Sequence, residues 1–152
     1  MTTKTLEQAI YSHLTQGTRK IGKYLCFEVE MPDSQERVDL LEYDSDGTWR
    51  FYELKVSKAD FKSGAAHTFR GNYNYYVMPY KLYEQVKEMI PDGIGVITCC
   101  DMWKTCTYQE NPKRQELNVD ANKIMLSFMQ ALSRENEKFM AVKQVIRKAG
   151  IA

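Results

Sequence analysis

Residues Phe51 to Phe61 read FYELKVSKADF, and the fold follows from how this stretch is parsed. Phe51, Tyr52 and Val56 favour a strand. Residues two apart in a strand leave from one face. Glu53 and Lys55 therefore point together, while Tyr52, Leu54 and Val56 turn toward a core. Ser57-Lys58-Ala59-Asp60 then has the capping-box pattern of a helix start. The stretch is a strand that carries a carboxylate and an ammonium on one face and runs into a helix. A surface ion pair, nearly neutral in energy, has the same local sequence. The flanking sequence has to separate the two readings.

Upstream, Asp44-Ser45-Asp46-Gly47 carries the Asp-Gly cue of a hairpin. It joins the third strand, Trp49 to Val56, to a second strand, Arg37 to Tyr43. Asp39 lies in that second strand among Val38, Leu40 and Leu41, where a carboxylate is costly unless something pairs with it. The hairpin brings Asp39 within reach of Glu53 and Lys55. Glu42, Asp44 and Asp46 read as solvated turn charges. Tyr24 to Glu30 is a first strand, followed by a turn at Met31-Pro32-Asp33-Ser34. Before it, Thr5 and Gln8 suit a capping box, and Leu6, Ile10 and Leu14 form a helical stripe that Gly17 ends. Glu7 lies beside the stripe. It reads equally as a first-turn acid favoured by the helix dipole or as a group reaching a buried site. His13 reads as a packed or exposed histidine rather than a ligand.

Downstream, a short helix from Lys58 is limited by Gly64. Asn74 to Met78 is a strand stopped by Pro79, and Lys81 to Met89 a helix. Ile94 to Cys99 is an apolar strand of the kind buried on both faces. Met102 to Tyr108 suits an edge strand, and Glu110 to Asn118 a polar loop. From Val119 the chain turns helical. Met125, Phe128, Met129 and Leu132 make one stripe, and Phe139, Val142, Val145 and Ile146 another. The polar run Ser133 to Lys138 suggests a break between two helices. Lys138, Lys143, Arg147 and Lys148 read as a solvated face. The expected architecture is α/β, a mixed sheet flanked by helices with an extra C-terminal helix or helix pair.

The 152 residues suit one domain, with 43% hydrophobic and 27% charged residues. A net charge of +1 argues against a protein that coats nucleic acid by charge alone. No run of about 20 apolar residues suggests a membrane span, and MTTKTLEQAI lacks a signal pattern. The expectation is a cytoplasmic protein without a membrane partner. Cys26, Cys99, Cys100 and Cys106 form no C-x-x-C pair. Buried, reduced thiols are expected rather than a zinc site.

Two carboxylates on adjacent strands can hold Mg²⁺ or Mn²⁺. A nearby lysine can position the attacking water and offset charge on phosphorus. Val38-Asp39, then Glu53-Leu54-Lys55-Val56-Ser57-Lys58-Ala59-Asp60-Phe61, then Tyr75-Tyr76-Val77-Met78-Pro79, in this element order, resemble the PD-(D/E)xK nuclease superfamily. The match is nearest to its MmcB-like group of DNA-repair proteins in bacteria and phages and spans about Glu7 to Cys99. Val38 stands where the name of the motif has proline. The resemblance implies a restriction-endonuclease-like αβββαβ core over about residues 5–100, and the C-terminal helical extension, about 118–150, lies outside it. It implies Asp39, Glu53 and the Leu54 carbonyl as metal ligands, Lys55 as the catalytic lysine, and Glu7 as a further acid from the first helix. Lys58 and Lys62 are the phosphate contacts it suggests, with Asn72 and Tyr73 as further site candidates, and Arg70 is a nucleic-acid contact expected of a binding module on this fold.

The function implied is metal-dependent hydrolysis of DNA in repair, recombination or phage DNA processing, with a homodimer plausible if both strands of a duplex are cut. A non-catalytic nucleic-acid-binding module on the same fold is the alternative. A protein-interaction domain in which Glu53 and Lys55 merely pair is the third reading.

Overall fold

The computed structural model describes residues 1–64, 68–101 and 105–151. Its elements are α1 (Thr3–Thr15), β1 (Lys23–Glu30), β2 (Arg37–Asp44), β3 (Trp49–Leu54), α2 (Lys58–Ser63), β4 (Tyr73–Pro79), α3 (Tyr80–Val86), β5 (Gly95–Cys100), β6 (Thr105–Glu110) and α4 (Ala121–Lys148). The six strands form one sheet in sequence order. β1, β2 and β3 are an antiparallel meander, β3–β4–β5 run parallel, and β6 returns antiparallel. The architecture is thus the expected mixed α/β sheet with flanking helices, in the order α, three strands, α, strand. Of the edge strand expected from Met102, residues 102–104 lie outside the described residues.

Alternation across the pleat divides the core. On one face α1 buries Leu6, Ile10 and Leu14 against Leu40, Tyr52, Leu54, Tyr75, Val77 and Ile97. On the other face α4 packs Ile124, Phe128 and Ala131 over Val29, Val38, Leu41, Trp49 and Phe51. Beside that cluster, α2 and α3 bring Phe61, Leu82 and Val86 onto Tyr76, Met78 and Val96. β5 is buried on both faces from Gly95 to Cys99, as its apolar run implies.

Several local expectations are revised. The cap of α1 is Thr2, not Thr5: the Thr2 hydroxyl accepts from Thr5 N–H, and Thr5 returns a bond to the Thr2 backbone. β3 ends at Leu54, so Lys55 and Val56 lie just beyond it. α4 is continuous through Ser133–Lys138, where Arg134 and Lys138 both pair with Glu135. Cys99 and Cys106 are not separate thiols. They face each other across β5 and β6 with Cα atoms 4.2 Å apart and are joined as a disulfide. Cys26 is a buried free thiol and Cys100 an exposed one.

Glu42 is no solvated turn charge either. It is 1% exposed, takes a hydrogen bond from Arg50 Nη1 at 3.0 Å and another from the Tyr52 hydroxyl at 3.2 Å. Asp44 is half-buried beside the same arginine at 3.6 Å, whereas Asp46 stays exposed and accepts from Thr48 N–H.

Candidate functional site

β1 and β2 change face together at one point. Cys26 and Val29 share the α4 side although they are three residues apart, and so do Val38 and Leu41, whereas Leu40 lies on the α1 side. The residues between are Glu28 and Asp39. The ladder pairs Phe27 with Leu40 and Val29 with Val38 and skips them. Glu28 has φ +55°, a left-handed conformation rare outside glycine. The chain thus rolls over at these two positions, which is how Asp39 sits in an apolar strand without entering either core.

Asp39 turns toward β3. Regular pairing of β2 and β3 ends at Leu40 and Tyr52. Beyond it, Asp39 Oδ2 accepts from Leu54 N–H at 2.8 Å, replacing a ladder bond. In a strand, the N–H and C=O of one residue leave on the same side. The Leu54 carbonyl therefore also faces β2 and Asp39.

Glu53 lies between Phe51 of the α4 cluster and its parallel neighbour Tyr76 of the α2–α3 cluster. It is 9% exposed. Burial pushes its carboxyl up to about 8, the Asp39 carboxylate beside it adds to the rise, and a hydrogen bond to Asp39 acts in the same direction. The Thr68 hydroxyl donates to Glu53 Oε1 and Lys55 lies within electrostatic reach, but their opposing pull is smaller. Two carboxylates forced together in this way need a shared proton or a cation.

Lys55 is half-buried. Its Nζ is 3.9 Å from Asp60 Oδ1, and a Cβ at Gly64 would run into that ammonium. Ser57 caps α2 through Asp60 N–H at 3.1 Å, while Asp60 Oδ2 takes Val56 N–H at 3.0 Å. The turn after β3 is thus pinned at both ends, which holds Lys55 near Glu53. Glu7 approaches from α1. Burial, then the charges of Glu28 and Asp39, raise its carboxyl above the usual range, with Lys4 opposing. The structure therefore brings Asp39, Glu53, Leu54, Lys55 and Glu7 to one place.

The expected nucleic-acid contacts divide. Lys58 and Lys62 are exposed on α2. Arg70 instead grips both oxygens of Asp33 at 2.7 Å and donates from Nε to the Asn118 carbonyl. Buried Asn72 accepts from Trp49 N–H at 2.9 Å and donates to the Gln115 carbonyl at 3.1 Å. Tyr73 packs beneath the guanidinium groups of Arg50 and Arg114. These three hold the β4 approach and the 115–118 segment in place. His13 is packed, 3.4 Å from the Tyr108 hydroxyl.

Thr68 and Glu28 are site residues that local sequence did not reveal. Thr68 lies in a stretch without periodicity, and nothing marks a glutamate that will adopt positive φ. Among the described residues, no three His, Cys, Asp or Glu side chains converge tightly enough to form a ready cation cage. Asp39 and Glu53 supply two adjacent carboxylates. That donor set suits a hard cation, which takes its remaining ligands from carbonyls and water.

No known family profile matches the chain, and no curated protein matches it in sequence. Among solved structures, the "SPO1766 protein of unknown function from Silicibacter pomeroyi" is similar over 90% of each chain, with a TM-score of 0.65 and 15% identity. At that identity the likeness concerns the fold alone.

Proposed function

We propose that the protein is a metal-dependent phosphodiesterase acting on DNA, with the restriction-endonuclease-like site that its Asp…Glu-x-Lys pattern resembles. The observation that carries this reading is the pairing of Asp39 with a buried Glu53, raised to about 8, beside Lys55. A cation is the natural replacement for the proton such a pair must otherwise hold.

Asp39, Glu53 and the Leu54 carbonyl would hold Mg²⁺ or Mn²⁺, with Glu7 as an outer acid. Such an ion supplies Lewis acidity toward a phosphate oxygen and lowers the pKa of bound water. Lys55 orients the attacking water and offsets negative charge on phosphorus. Thr68 holds Glu53 in position. Lys58 and Lys62 are free to meet phosphates next to the site.

Thermal unfolding with and without Mn²⁺ tests the reading, because a ligand specific to the folded state raises its apparent stability. A rise in wild type that disappears in Asp39→Ala is expected. Manganese-dependent cleavage of single-stranded, duplex or flap DNA that is lost in Lys55→Ala is also expected. DNA binding in chelator that survives Lys55→Ala, without cleavage in metal, would replace this reading by a non-catalytic binding module.

A further inference from the structure

α4 is longer than the sheet it covers. Its 28 residues span about 42 Å at 1.5 Å per residue. Its buried residues are Ile124, Phe128 and Ala131, all in the first half. Arg134 marks the last anchor, donating to the Phe27 and Glu28 carbonyls at 3.0 Å each. Beyond it the helix leaves the domain, yet its apolar face does not stop.

Counted at 100° per residue, Phe139, Val142 and Ile146 continue the line of Ile124, Phe128 and Ala131. Among the described residues, no other element covers this continuation of the face, and only the Lys143 ammonium lies over the Phe139 ring, 4.6 Å from its centre. Phe139 and Val142 are 55% exposed and Val145 67%, and Leu132 is exposed beside them. Together they present about 400 Å² of apolar surface, within the range of the patches that mark contact sites.

We propose that this overhanging half of α4 is the contact surface for a second copy of the chain, packed antiparallel about a two-fold axis. Three observations favour a second copy over an unrelated partner. Leu132, Glu135, Phe139, Val142, Ile146 and Ala149 follow the alternating 4- and 3-residue spacing of a coiled-coil seam. Glu135, the charged member of that seam, is neutralised within its own chain by Arg134 Nε at 3.1 Å and Lys138 Nζ at 3.2 Å. Antiparallel pairing sets Asn136 against the partner's Lys143 and Lys138 against the partner's Val145, so no like charges meet at the flanks. A face of this kind is complementary to itself, as a two-fold contact requires. Two copies bury about 800 Å² in total, the range of weak, transient contacts. The dimer is therefore expected to be reversible.

Sedimentation equilibrium of the full chain in metal-free buffer tests this without reference to nuclease activity. Wild type is expected to approach twice its 17.7 kDa mass with rising concentration. Phe139→Glu with Val142→Glu is expected to weaken association by about 100-fold. Both side chains are exposed, so helix content and the unfolding midpoint of the dilute protein should not change. Gln144→Glu, on the outer side of the same helix, should leave association intact. A wild type that stays monomeric up to about 1 mM, the weak end of measurable association, overturns the proposal. So does a dimer that survives the double substitution.

Discussion

Replacing Glu53 by glutamine is expected to remove most of the pH dependence of stability in the metal-free protein. Burial and the neighbouring Asp39 carboxylate raise Glu53 from 4.5 to about 8 in the folded chain. The folded state therefore holds a proton that the unfolded chain releases. The stabilisation from this raised value is complete below pH 4.5, is lost as pH rises toward 8, and is gone above it. At 1.36 kcal/mol per pH unit the interval corresponds to an upper bound of about 5 kcal/mol. Urea denaturation in chelator at pH 5, 6, 7, 8 and 9 measures it. Glu53→Gln is expected to gain on wild type by several kcal/mol between pH 5 and 8, with no further gain above. Parallel curves for the two proteins would refute the claim that Glu53 is charged only at the expense of the fold.

Glu42→Ala is expected to destabilise the protein by about 3–5 kcal/mol in urea, since it strands the partly buried Arg50 guanidinium and the Tyr52 hydroxyl. Thr68→Val removes the hydrogen bond that holds the Glu53 carboxyl down, so the Glu53 midpoint in a ¹³C carboxyl titration should move further up. Arg134→Ala takes away the two carbonyl contacts that tie α4 to β1. A loss of about 1–3 kcal/mol is expected, with amide exchange accelerating first in α4.

Much of the site was legible because a hairpin constrains register. The Asp-Gly turn ties β2 to β3, and with Leu40 opposite Tyr52 the next residues outward are Asp39 and Glu53. Sequence leaves Glu7 open between two roles, since a first-turn acid and a site acid look alike until the helix is docked. Arg70 looked free because its partner, Asp33, is 37 residues away. The cysteine pair was missed for a related reason. Cys99 and Cys106 lie seven residues apart with no motif, and the β5–β6 register alone brings them opposite.

Alternation of apolar residues, turn chemistry and the spacing of charges determined the element order, the mixed sheet and the Asp39–Glu53–Lys55 grouping. These are local properties, readable from residues a few positions apart. The tertiary structure decided which charges are buried and which helix faces are covered. Glu42 and Asp46 sit four residues apart in similar local sequence, yet one is sealed against Arg50 and the other faces solvent. The two apolar stripes of α4 read alike, and the reach of the sheet beneath them determines that the first half is buried while the second protrudes. Burial depends on what lies across the core, and no local pattern specifies that.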